Sequence, residues 1–204
     1  MTNWHGDFLC GTRVYIPMTK TPLLFAITAL SLAACGDDPV NYSAPVGIEL
    51  KAKSGDVVNA AINENKGITT ESGNPYGAFI TDARNRLGGR DPSHIELDQL
   101  TLTLGGQSTN VSSLEQVMTG DCAVSFLTND TNNTFVAGHF MNPMGVGPVG
   151  GSVTFDWTQV GAPDVAKMLG GSFKVVLTAP AAAGFDTKGA DASLQLTFTF
   201  TAFE

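Results

Sequence analysis

The sequence predicts a mainly β chain, folded as a single antiparallel β-sandwich with one to three short helices. Three observations predict it. Several segments alternate large apolar residues with Thr, Gln or charged residues at a period of two, the pattern of a strand buried on one face. Hydrophobic residues make up 43% of the 204-residue chain and charged residues only 15%, which is too apolar for a disordered polypeptide. Stretches with helical spacing are few and short, while Gly, at 23 residues, is abundant.

The segments justify this in chain order. GDVVNAAINENKG (55–67) fits either a helix, with Val58, Ala61 and Ile62 on one side, or a strand. PYGAFITDARNRL (75–87) reads as a helix, with Asn74 as N-cap, Pro75 in the first position and Gly88 just past the end. Phe79, Ile80, Ala83 and Leu87 form its apolar side. In HIELDQLTLTL (94–104) the phase changes from odd (Ile95, Leu97) to even (Leu100, Leu102, Leu104), so a β-bulge is expected near Asp98-Gln99. Ser112 and Glu115 have the spacing of a capping box before Val117 and Met118. CAVSFL and TFVAGHF flank TNDTNN (128–133), a hairpin with an Asn/Asp loop. SVTFDWT (152–158) alternates through Val153, Phe155 and Trp157; PDVAKML (163–169) opens a turn at Pro163. FKVVL (173–177) and SLQLTFTFTA (193–202) complete the set. The second buries Leu194, Leu196, Phe198 and Phe200 against outward Gln195, Thr197, Thr199 and Thr201.

The chain carries a net charge of −8 and has a pI near 4.7, with only 11 Lys plus Arg. No basic stripe exists to neutralise phosphates, so nucleic acid is excluded as a partner. Anionic lipid head groups would also repel such a surface, so attachment to a membrane needs a device other than a polybasic patch.

That device lies near the N-terminus. LLFAITALSLAA (23–34) is uncharged, too short to span a bilayer, and preceded by Lys20, as in a signal-peptide h-region. Leu32-Ala33-Ala34-Cys35 then resembles the lipobox of bacterial lipoproteins. The resemblance covers about residues 18 to 35. It implies cleavage before Cys35, a diacylglycerol on its sulfur, acylation of the new amino group, and a place in the bacterial cell envelope. Gly36, rather than Asp, after the Cys points to the outer membrane within that family. Met18-Thr19-Lys20 would by itself make a normal signal start, so residues 1–17 are either untranslated or lengthen the n-region. The expected organisation is therefore a signal peptide at 1–34, a lipidated Cys with a flexible tether at 35–45, and the β-sandwich at 46–204. Loss of Asp7, Arg13 and Lys20 with the signal leaves 9 basic and 18 acidic residues, a net charge of −9. Loss of Cys10 and modification of Cys35 leave Cys122 as the one ordinary thiol, expected to be a buried small hydrophobe in its strand.

Chemistry-bearing motifs are sparse. GVGPVG (145–150) matches G-x-G-x-x-G but contains Pro148 and is followed by a strand instead of a helix, so it reads as a loop and no cofactor is expected. HFMNPM places His139 and Met141 on one side of a strand with Met144 nearby. Soft thioether and imidazole donors suit Cu(I), and the pattern resembles the H-x-M piece of periplasmic copper chaperones. Their motif needs a further His or Met pair upstream, for which Met118 is the candidate. TNDTNNT with Asp82, Asp91, Glu96 and Asp98 offers hard oxygen ligands for Ca²⁺, but turn chemistry alone explains the motif. His94 reads as a surface residue at a strand start. The mature chain has two histidines and neither a G-x-S-x-G nor a His-Glu-x-x-His pattern, so no enzyme is expected. The leading expectation is a lipid-anchored envelope protein with a non-enzymatic interaction, adhesion or assembly role, its partners the membrane through Cys35 and other envelope proteins. The alternative is a periplasmic Cu(I)-binding protein using His139, Met141 and Met144.

Overall fold

Two antiparallel sheets pack face to face. The computed structural model describes residues 40–71 and 73–204, which lie within one compact unit. The proposed signal peptide, Cys35 and the first part of the tether fall outside the described residues. The strands are β1 (Asn41–Lys53), β2 (Ala61–Ile68), β3 (His94–Leu104), β4 (Asp121–Thr128), β5 (Thr134–Met141), β6 (Val149–Gly150), β7 (Ser152–Val153), β8 (Phe173–Pro180) and β9 (Asp191–Phe203). One sheet has the order β1-β9-β3-β6 and the other β2-β8-β4-β5-β7. Two helices are added, α1 (Pro75–Arg86) and α2 (Ala162–Leu169). The fold is the mainly β sandwich that the alternation predicts.

Strand β9 is the spine of the first sheet, hydrogen-bonded to β1 on one side and β3 on the other. Its Leu194, Leu196, Phe198 and Phe200 are buried, as the period of two requires. The register of β3 on β9 shifts between Leu97 and Gln99, so Asp98 is the extra residue of a bulge. That shift lets both Leu97 and Leu100 reach the core. In the second sheet, Val124 and Phe126 of β4 and Val175 and Leu177 of β8 meet these residues from the opposite side. Phe126 is the centre of an aromatic cluster, with ring centroids 5.3 to 6.1 Å from Phe155, Phe173, Phe198 and Phe200.

Helix α1 starts as its cap chemistry demands, with Asn74 Oδ1 accepting from the Tyr76 N–H at 3.0 Å and Pro75 in the first turn. Tyr76 joins the expected apolar side. Its ring contacts Phe79, Phe173 and Phe200, and its hydroxyl donates to the Met168 carbonyl of α2 at 2.8 Å. Burial pushes the Tyr76 hydroxyl pKa far up, so it remains a donor throughout the accessible range. The two helices thus close one end of the sandwich together.

Three segments differ from expectation, and a fourth, open between helix and strand, forms a strand. The sandwich begins five residues earlier than Val46, because β1 pairs from Asn41 onward and takes Asn41 to Pro45 out of the tether. Pro45 is tolerated because β1 is an edge strand, where a missing N–H costs no ladder bond on the outer side. The segment around Val58 is no helix: Asn59 (φ 52°) and Ala60 (φ 57°) make a tight turn, Val58 pairs with Ala61, and β2 follows. SVTFDWT pairs only through Ser152 and Val153. Asp156 Oδ1 then accepts from the Thr158 N–H at 2.9 Å and curls Trp157–Gln159 into a 3-10 turn. PDVAKML is a full eight-residue helix instead of a turn.

The two ends of the sandwich are distinct. At one end Asn41 and His94 both pair with Phe203, so the chain enters β1 there. At the other, Lys53 pairs with Asp191, and the Leu104 N–H donates to the Val146 carbonyl at 2.7 Å. Asp121 pairs with Met141 at this second end of the other sheet.

Candidate functional site

The second end presents a fixed loop with an apolar exterior. Strand β5 stops at Met141 because Asn142 turns the chain at φ 45°. The Asn142 N–H donates to the Gly120 carbonyl at 2.7 Å, and its Oδ1 accepts from the Gly120 N–H at 2.8 Å. Gly145, at φ 73°, adopts a left-handed conformation that favours glycine. Its N–H donates to Glu115 Oε2 at 2.7 Å and its carbonyl accepts from the Leu114 N–H at 2.8 Å. With the Leu104–Val146 bond, the loop is held on both flanks. Its large side chains are nevertheless turned out: Met141, Met144 and Val146 are 66%, 67% and 55% exposed. Apolar residues clustered in this way, on backbone that cannot collapse over them, mark a contact surface.

Acidic groups border the cluster. Glu115 is held below the ordinary carboxylate range by hydrogen bonds from its own backbone N–H, the Gly145 N–H and the Ser113 hydroxyl. It therefore stays ionised, but it does not cap its own turn as Ser112–Glu115 spacing predicts. The Ser112 N–H instead donates to Gln116 Oε1 at 3.1 Å, which frees Glu115 to reach the loop. Asp121 is within 2.8 Å of His139 Nδ1.

The residues singled out in the sequence distribute as follows. His139 and Met141 share the outward face of β5, with Phe140 between them buried, and Met144 follows in the loop. The Asp121 contact occupies His139 Nδ1 and leaves Nε2 for a ligand. Met118 is fully buried and is not part of this group. Among the described residues, no group of three or more His, Cys, Asp or Glu side chains is placed to hold a metal. Asp82 accepts from the Tyr42 hydroxyl, Asp91 pairs with Arg84, and Asp98 accepts from Thr201 Oγ1, so the acids considered for Ca²⁺ serve separate partners. GVGPVG leads into β6 with no helix after it. His94 stacks on Phe203 at the strand start, with centroids 4.5 Å apart. Cys122 is buried, its thiol pushed up to about 11, first by burial and then by Asp121. It is an inert core residue at neutral pH.

The hairpin loop TNDTNNT has a partner that its own sequence does not reveal. Asp164, at the start of α2, accepts from Thr128 Oγ1 at 2.8 Å, Thr131 Oγ1 at 2.5 Å and Asn133 Nδ2 at 2.8 Å. These donors hold its pKa below the usual value, Thr131 and Asn133 foremost. Glu115, Val146 and Asp164 all escaped sequence reasoning, because each acts across 30 or more residues of chain or through exposure alone. Local signals existed for two of them: Asp164 follows Pro163 where a helix N-terminus favours an acid, and Glu115 has capping-box spacing, which points to a different partner. No family model, curated protein or solved structure matches the chain.

Proposed function

We propose that this is a lipid-anchored protein of the bacterial cell envelope, attached through Cys35 in the outer membrane, with a non-enzymatic interaction role. The observation that carries the interaction half is the fixed loop with exposed Met141, Met144 and Val146 at the end opposite the Asn41 entry. Only five residues separate Cys35 from Asn41. A lipid on Cys35 thus ties the Asn41 end near the bilayer and turns the loop away from it. Two acyl chains give stable attachment without any basic patch. The acids that border the loop and the net negative charge define its complement: a protein presenting apolar side chains rimmed by Lys or Arg.

A photo-crosslinker placed at Met144 in intact cells tests this, with the same probe at Lys66 of β2 as the control. The expected result is a discrete heterologous adduct from position 144 that is lost on Val146→Asp. Equal labelling at both positions, or an adduct of twice the chain mass only, would overturn it.

A second reading is supported by the geometry of His139. Ligand histidines usually direct their second ring nitrogen to a carboxylate, as His139 does to Asp121, and two exposed thioethers follow it in sequence. On this reading His139, Met141 and Met144 hold Cu(I). Titration of the purified protein with Cu(I) under reducing conditions decides it; absence of saturable uptake sinks it.

A further inference from the structure

A groove of about 640 Å³ runs along the flank of the sandwich between β3 and the segment after β7, away from the Met141 loop. Its floor is aromatic. Phe155 packs edge-on against Phe126 of the core, with centroids 5.3 Å apart and planes at 83°. Trp157 meets Phe155 at 6.1 Å with planes at 74°, so the two rings form a corner. The 3-10 turn capped by Asp156 sets this geometry, because it lifts Trp157 off the strand path that simple alternation would give it. On the facing wall stand Glu96 and Asp98, and Asp156 lies between the two aromatics in the chain. Asp98 is exposed in phase with Glu96 two residues earlier, so the first half of β3 presents both carboxylates on the same outward side, at the groove.

The charge balance of this groove is one-sided. Neither Lys nor Arg lines it, and among the described residues neither Asp98 nor Asp156 has a Lys or Arg partner. Arg90, the basic residue nearest to the groove along the chain, is committed to Glu204. Among the described residues Glu96 pairs only with His94, at 3.9 Å. Hydrogen bonds from the Thr158 hydroxyl and N–H hold Asp156 below its ordinary pKa, so it remains charged. An anion would be repelled from this site. A neutral apolar molecule would strip water from three carboxylates without replacing it. A neutral sugar would satisfy hydrogen bonds but leave the charge unbalanced. A soft cation meets both features, resting on ring faces while it pairs with the acids. The volume is in the range of small-ligand sites.

We propose that this groove binds an organic cation, an alkylated ammonium or a guanidinium, seated in the Phe155–Trp157 corner and paired with Glu96, Asp98 and Asp156. The inference is independent of the lipid anchor and of the Met141 loop. The cation is either a free small molecule or the side chain of a basic peptide, and the same site chemistry serves both.

The chain has two tryptophans, Trp4 and Trp157, so the full-length protein carrying Trp4→Phe reports on this groove by its only indole. Its emission is titrated at constant ionic strength with tetramethylammonium, with a Gly-Gly-Arg-Gly-Gly peptide, and with neopentyl alcohol as the neutral isostere. The expected result is a saturable change with at least one cation, no saturation with the alcohol, and affinity about tenfold weaker in Glu96→Gln. Glu96 is more than half exposed, so this variant tests charge without endangering the fold, and an unchanged thermal midpoint verifies it. Tighter binding of tetramethylammonium identifies a small-molecule site, and tighter binding of the peptide a partner's side chain. No saturation with either cation, an equal response to the alcohol, or full affinity in both Glu96→Gln and Asp98→Asn would overturn the proposal.

Discussion

Glu115 Oε2 accepts a hydrogen bond from the Gly145 N–H at 2.7 Å, and this one contact ties the turn after β3 to the loop that carries Met144 and Val146. It converts an exposed Gly-rich segment into a fixed surface. The Glu115 pKa is depressed in the folded chain, so its contribution is complete above the ordinary value of 4.5 and is lost as pH falls through the lower folded value. The Gly145 and Val146 amide resonances are accordingly expected to hold steady from neutral pH down to about 4.5 and to shift only below it. In Glu115→Gln the shift disappears, and hydrogen exchange at Leu104, whose donor bond ends on Val146, accelerates about tenfold.

Asp164 supports a different claim, that the Asn/Asp loop between β4 and β5 is shaped by a buried carboxylate from α2. Replacing it by Ala removes the acceptor shared by Thr128, Thr131 and Asn133, and leaves the fully buried Thr128 hydroxyl only the Asn133 carbonyl and Thr131 Oγ1. Asp164→Ala is expected to lower the thermal midpoint by about 5 °C and Thr131→Val by less, by calorimetry. Because the Asp164 pKa is lowered on folding, the wild-type advantage over Asp164→Ala persists at neutral pH and shrinks only as the solution becomes more acidic than the usual carboxylate range.

Phe126 joins the two sheets. It is fully buried and its ring meets Phe173 beside it as well as Phe198 and Phe200 across the interface. Truncation to Ala opens a cavity that two packed sheets cannot close, with an expected loss of about 3–5 kcal/mol in urea unfolding. Phe135, half-buried on the neighbouring strand, should cost clearly less on the same substitution.

The strands that were legible in the sequence are those with one wet face and one dry face. β9, β8 and both halves of β3 show it, and the phase slip in HIELDQLTLTL located the bulge at Asp98 because a slip in a period of two has no other cheap explanation. β1 has the same alternation from Tyr42 to Ala52, but Pro45 disguises it, since only the sheet order reveals that β1 is an edge strand, where a residue without an N–H is tolerated. SVTFDWT misled in the opposite direction: its alternation is real, yet the Asp156 cap diverts the chain after two paired residues. Of the candidate site, His139, Met141 and Met144 were visible as residue types. Their exposure was not, because it depends on Gly120, Leu114 and Leu104 holding the loop from outside it. The capping-box spacing at Ser112 and Glu115 was a local signal outcompeted by a longer-range donor, the Gly145 N–H.

On the proposed function, this sandwich is tethered by lipid at Cys35. Mass spectrometry of the N-terminal peptide from protein extracted from bacterial membranes measures it directly. The chain is expected to begin at Cys35, with a diacylglycerol on Sγ and an acyl group on the new α-amine, and Cys35→Ser is expected to abolish both cleavage and membrane retention. An unmodified soluble product that keeps residues 1–34 would contradict it.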